Sequence, residues 1–284
     1  MITIKNEFLT ANIKEEGAEL KNLFTNEREY IWQSNPQYWT GACPTLFPIC
    51  GALKDNEFTF DGKTYSLQKH GFAKVSVFEV EKKSETSVTL LLKSSPETLA
   101  SYPFEFEFRV IFTLEAKRLS IRYEVTNLSK ETMFFSVGSH EGYATFGAIE
   151  DYEVIFPQKE TLYSHDLIGP LLHNSKTFMY RNNNVLNLKD TFFAEKDTYI
   201  FRNIKSKSVT LRKKDLSHEL RVEFGGFDSL MLWKKPEAEY LCIEAWNGAP
   251  DFATTDKNLR KKADIQTVEP NQVYVRTHTV EIIK

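Results

Sequence analysis

The stretch PFEFEFRVIFTLEAKRLSIRYEV, Pro103 to Val125, decides the fold class. Phe104, Phe106 and Phe108 alternate with Glu105, Glu107 and Arg109. Beyond a polar turn at Glu115 to Lys117, Leu119, Ile121, Tyr123 and Val125 alternate with Ser120, Arg122 and Glu124. A period of two puts every second side chain on one face, so each half predicts a strand with one buried face. Two such strands across a short turn predict an antiparallel hairpin. Working outward, the same pattern predicts strands over Thr3–Ile13, Val75–Glu81, Ser87–Lys93, Glu131–His140, Thr198–Ile204, Val209–Leu211, Leu220–Phe224, Leu230–Trp233, Tyr240–Glu244 and Gln272–Ile283. Only TLASY near Leu99 and TTDKNLRKKAD near Leu259 suit short helices, and Phe156 to Lys189 reads as a loop. Many short strands at even spacing predict an all-β fold, a large antiparallel β-sandwich. The 22 phenylalanines and 12 tyrosines suit the pleated, half-buried surfaces of such sheets. With no repeat or Pro/Ser-rich linker, one domain over residues 1–284 is expected.

Composition removes several classes of function. A net charge of −3 with lysines scattered among acids lacks the concentrated basic face that nucleic-acid binding needs. Cys43, Cys50 and Cys242 form no CxxC pair, which predicts buried thiols in a reducing compartment. The N-terminus meets Lys5 and Glu7 before any apolar run develops, and no segment nears the roughly 20 apolar residues that span a bilayer. A cytoplasmic protein without a membrane partner is expected.

Chemistry concentrates in three segments that put one titratable group beside glycine and aromatic residues. In KHGFAK, His70 precedes Gly71, which permits a sharp turn or close approach to a ligand. In VGSHEGY, His140 follows a strand face that ends in small and polar residues, which predicts a recess beside the imidazole. In CIEAWNGAPD, Glu244 ends an apolar run, where desolvation raises a carboxyl pKa and makes a better base. Trp246 and Trp233 are candidates to stack on a sugar ring, and Asp197 is a candidate acceptor for hydroxyls. His165, His173, His218 and His278 read as bystanders. Metal-ligand spacings, phosphate-cradling glycine loops and a GxSxG elbow are absent from the sequence.

The block PTLFPICGALKDNEFTFDGKTYSLQKHGFAK, Pro44 to Lys74, resembles the P-x-LFP-x-x-G…DG-x-x-Y-x-L-x-x-HGFAR block of the aldose 1-epimerase (galactose mutarotase-like) superfamily. GAEL at Gly17, EYIW at Glu29, VGSH and IEAWNGAPD follow in that family's order, and the chain is most similar to the mutarotase-related subgroup that includes LacX. The resemblance implies a β-supersandwich with a concave hexose-binding face, and interconversion of α and β anomers by ring opening and closure. It implies that His140 is the general acid, Glu244 the general base, His70 a second histidine near the ring oxygen, and Asp197 a hydroxyl ligand. It implies no metal or organic cofactor, a small hexose such as galactose or glucose as the only partner, and a monomer or homodimer. Ala52 and Lys74 stand where the family has arginines, and Glu141 and Ala245 where it has prolines; Lys54 or Lys74 is the expected substitute cation. Alternatives are a hexose 6-phosphate epimerase, which needs two or more basic side chains at the site, and a carbohydrate-binding protein without turnover. A glycosidase ranks low, because no second carboxylate pairs with Glu244 in the motifs.

Overall fold

A computed structural model describes residues 1–284. The predicted hairpin lies within its largest sheet: Phe106–Glu115 pairs with Arg118–Asn127 in unbroken register, from Phe106 opposite Asn127 to Glu115 opposite Arg118. Phe106, Phe108, Val110 and Phe112 are buried, while on the wet face Arg109 bridges Glu81 and Glu107 at 2.7 and 2.9 Å. The hairpin belongs to a nine-stranded antiparallel sheet. In space that sheet runs Leu171–Asn187, Tyr152–Ile168, Ser208–Lys213, Glu219–Glu223, Val273–Ile282, Arg118–Asn127, Phe106–Glu115, Ser87–Lys93, Glu79–Lys83.

A five-stranded sheet positions the site. Tyr240–Asn247 has Ser229–Trp233 and then Thr198–Arg202 on one side; on the other, Val137–Gly138 and Gly142–Ala144 pair with its two halves. All of Tyr240–Asn247 is buried, but its two faces differ. Leu241, Ile243 and Ala245 join Phe108, Leu119 and Tyr123 of the large sheet in one core of 63 residues. Tyr240, Cys242 and Trp246 lie in smaller clusters outside that core, and period two gives Glu244 their face. The all-β sandwich is therefore closed by the inner faces of both sheets, and the outer face of the smaller one is free to carry chemistry.

Several boundaries differ from the sequence reading. Thr3–Ile13 is two strands, Ile2–Lys5 and Thr10–Ile13, because the Asn6 side chain accepts the Phe8 and Leu9 N–H groups and turns the chain. Val75 closes a 3₁₀ turn, and its strand begins only at Glu79. Glu131–His140 changes partner at Ser136: Met133–Phe135 pairs with Gln266–Val268, and Val137–Gly138 with Trp246 and Asn247. The expected loop at Phe156–Lys189 is mostly hairpin, Tyr152–Ile168 against Leu171–Asn187. Its second strand is exposed over much of its length and its register slips repeatedly, so no buried face imposes an alternation to read. Pro96–Ser101 is a helix begun by a Ser95/Thr98 capping box with proline in its first turn. Near Leu259 only a 3₁₀ turn forms, and Asp190–Glu195 is a helix that the sequence pattern did not predict. No helix is long and apolar enough to cross a membrane.

Candidate active site

His140 and Glu244 meet because of strand register. Gly138 lies opposite Trp246 and Gly142 opposite Cys242, so the residues between bring His140 opposite Glu244. Between the two ladders the Ser139 N–H donates to the Ala245 carbonyl at 3.0 Å, and the Ile243 N–H to the Glu141 carbonyl at 3.2 Å. Directly opposed residues hold their side chains within a few ångströms, and His140 Nδ1 lies 3.4 Å from Glu244 Oε1. Glu244 is thus not at a strand end, as expected, but inside a ladder that runs on to Asn247. Gly138 is required here, since a Cβ would stand 2.7 Å from the Trp246 ring.

His70 comes from a loop. Its backbone N–H donates to the Gly51 carbonyl at 2.9 Å, and the Gly51 N–H donates to His70 Nδ1 at 3.1 Å. With Nδ1 accepting, the neutral ring carries its proton on Nε2 and offers a donor. Both His70 and Gly71 have positive φ, and a Cβ on Gly71 would lie 2.3 Å from the Phe47 carbonyl oxygen, so glycine follows the histidine for steric reasons. The His70 ring stands edge-on to His140 and to Trp246, at 5.4 Å from each.

All the sequence candidates, His70, Lys74, His140, Asp197, Trp233, Glu244 and Trp246, line one cleft of about 650 Å³. Trp233 stands edge-on to His140 at 5.5 Å, and Trp39, which the sequence reading passed over, lies at 5.3 Å and 31° to the same ring. Trp246 is only 4% exposed and its indole N–H donates to the Ser139 carbonyl at 2.9 Å, so it braces the floor of the cleft. Asp197 is held by Lys235 at 2.9 Å and by the Thr198 hydroxyl at 2.8 Å. Burial works against its charge, but these two donors keep its carboxyl below the usual range. The Lys74 ammonium donates to the Lys69 carbonyl at 2.9 Å, and both lysines line the cleft. Neither Ala52 nor Lys54 lines it, so of the two expected substitute cations only Lys74 reaches the site.

The electrostatics of the pair have one dominant cause. Burial raises the Glu244 carboxyl well above 4.5 and lowers the His140 imidazole to about 3. Burial and the neighbouring His140 also push His70 well below 6.5. A low-dielectric site penalises either charge alone. The Glu244–His140 pair therefore favours holding a single proton as carboxylic acid facing neutral imidazole, a coupled unit rather than two independent groups. Such a pair can take a proton at one atom while giving one at the other.

Glu141, beside His140, points the opposite way. It is buried and meets His278 at 3.2 Å, so a histidine read as a bystander partners the residue that replaces the family's proline. His218 packs on Tyr30 at 5.4 Å and does not line the cleft, and neither His165 nor His173 lines it. Asp251 pairs with buried Lys262 at 2.7 Å.

The aldose 1-epimerase family model matches residues 1–278. Protein LacX (plasmid) of Lactococcus lactis subsp. lactis is 31% identical over 99% of both chains. Among solved structures, a galactose mutarotase related enzyme from Lactobacillus acidophilus superposes with a TM-score of 0.94 at 31% identity, covering 100% of this chain and 97% of that one. A galactose mutarotase-like protein from Lactobacillus casei superposes with a TM-score of 0.92 at 27% identity and covers 100% of both chains.

Proposed function

This chain belongs to the aldose 1-epimerase family, and from that premise we propose that it interconverts the α and β anomers of a hexose, with Glu244 and His140 moving the protons. The observation that carries the reading is the 3.4 Å approach of His140 Nδ1 to Glu244 Oε1 in a cleft flanked by Trp39 and Trp233. The two oxygens that must exchange protons in a cyclic sugar, the anomeric hydroxyl and the ring oxygen, share one carbon. A base and an acid placed side by side suit them. Ring opening starts from the tautomer of the singly protonated pair that carries its proton on His140: Glu244 carboxylate takes the anomeric proton and His140 imidazolium gives one to the ring oxygen. The C1 aldehyde turns about the C1–C2 bond. In closure, neutral His140 takes the proton back and the Glu244 carboxylic acid protonates the new anomeric oxygen. The open-chain stage thus meets the neutral form that burial favours. Positioned acid and base groups are each worth about two to four powers of ten. His70 Nε2–H is the donor assigned to hold the sugar near its ring oxygen, and Asp197 accepts from a hydroxyl.

Galactose or glucose is the substrate this reading starts from. A second reading, a hexose 6-phosphate, is favoured by one observation: Lys69 and Lys74 share the cleft, and Lys74 is held by a backbone carbonyl rather than by a carboxylate. Polarimetry on freshly dissolved α-galactose, α-glucose and glucose 6-phosphate tests both. Acceleration toward anomeric equilibrium with any of them is expected, and the preferred sugar chooses between the readings. No acceleration with all three refutes both substrate readings.

A further inference from the structure

We propose that His140, Glu244 and Cys242 form a three-donor site for a zinc ion at the floor of the cleft. No metal-binding spacing is present in the sequence, because the donors come from two segments about a hundred residues apart, joined by the ladder that opposes His140 to Glu244. Cys242 lies two residues before Glu244 on the same strand face. One ligand atom from each of the three residues lies within 4.8 Å of the others. Tetrahedral zinc with bonds of about 2.0–2.3 Å separates its ligand atoms by about 3.3–3.7 Å. His140 Nδ1 and Glu244 Oε1 stand at 3.4 Å, inside that range, and the 4.8 Å bound on the three donors exceeds it by only about an ångström.

Two further observations point to a ligand here. Glu244 is 2% exposed, yet its Oε2 has no hydrogen-bond partner, and neither has the buried His140 Nδ1. Such orphaned buried atoms are uncommon, because each forfeits its hydration without compensation. Cys242 is a free and fully buried thiol beside them. Imidazole, thiolate and carboxylate are zinc donors, and three protein ligands leave the fourth position open toward the cleft. Charge balances as well. Zn²⁺ held by one thiolate, one carboxylate and one neutral imidazole leaves the buried site without net charge. Bound zinc occupies the atoms that the proposed proton cycle uses and stops turnover. That inhibition, though not the binding, rests on the acid/base reading.

Cobalt(II) titration of the full chain tests the site directly, since thiolate-bound cobalt gives an intense near-ultraviolet charge-transfer band. One equivalent of Co²⁺ is expected to produce the band, and Zn²⁺ to abolish it by displacement. Cys242→Ser is expected to lose the band, to bind Zn²⁺ at least tenfold more weakly by calorimetry, and to keep its epimerase activity in zinc that silences wild type. Absence of the band in wild type overturns the site, and needs no variant to fold. Undiminished zinc inhibition in folded Cys242→Ser also overturns it, as two-donor or adventitious binding. A band without inhibition upholds the site and refutes the acid/base reading instead.

Discussion

Glu244→Gln separates activity from stability in opposite directions. The substitution keeps the volume of a side chain that is 2% exposed, so the ladder and the cleft are retained. What disappears is the proton acceptor, and a general base is worth about 10²–10⁴ in rate, equivalent to about 3–5 kcal/mol of barrier. Sugar affinity changes little, because an amide still accepts a hydrogen bond. Stability moves the other way. Burial raises the Glu244 carboxyl well above 4.5 in the folded state, so the folded protein holds this proton more tightly than the unfolded chain. The contribution of this group is therefore fully present below its unfolded value and declines as pH rises toward the folded one. Each pH unit within that window removes about 1.4 kcal/mol. Glutamine has no proton to lose, so the variant should be the more resistant to urea at about pH 8 and the difference should vanish near about pH 4. Polarimetry measures the first effect, and urea midpoints at the two pH values the second. A variant within about fivefold of wild-type turnover removes Glu244 from the mechanism, since that is below the smallest effect of a working base. A wild-type protein no weaker than the variant at the higher pH shows that the carboxyl is not desolvated.

The pH profile of kcat/KM should be a broad bell whose limbs belong to the His140–Glu244 pair. Burial lowers His140 to about 3 and raises Glu244, so single protonation spans neutral pH, and half-activity on the acid side near 6.5 would contradict it. His140→Asn should lose about 10²–10⁴ in rate and abolish that bell; an unchanged profile assigns the acid to another group. Glu141→Ala leaves His278 buried without its hydrogen-bond partner and should lower unfolding free energy by about 1–3 kcal/mol in urea titrations, while a loss below about 0.5 kcal/mol shows that the 3.2 Å contact contributes little.

The legible parts of the fold were those whose side chains meet a core. Phe104 to Val125 declared its hairpin because every second residue enters the core, and YLCIE, buried on both faces, declared a strand by its short apolar run. Tyr152–Asn187 was not legible: residues such as Phe178, 51% exposed, meet no core, so nothing selects an alternation. The position of Asn6 also escaped notice, since one side chain accepting two backbone N–H groups leaves no periodic trace. In the site, His70, His140 and Glu244 were recognisable from flanking glycines and apolar runs. That His140 opposes Glu244 was not, because register between strands a hundred residues apart depends on pairings no local window contains. Trp39 and Lys69 were invisible for a related reason: they enter the cleft from the loops around Thr40 and Lys69 that carry no alternation.

The proposed function places chemistry and recognition in different parts of this fold, which bears on the four departures from the family pattern. Backbone ladders set the His140–Glu244 separation, so it is insensitive to side chains that leave the sheet on its other face. Glu141 and Ala245 are such side chains: alternation sends Glu141 to His278 and Ala245 into the main core, away from the cleft. Replacing prolines at those positions therefore leaves the reacting pair where it is. Ala52 is buried and does not line the cleft. Lys74 alone among the four lines the cleft, beside Lys69 on the loop that also carries His70. A lysine offers a mobile point charge in place of the planar two-pronged donor of arginine. Under the proposed function, sugar preference is therefore expected to respond to substitution of Lys74 and Lys69 more than to changes at Glu141 and Ala245.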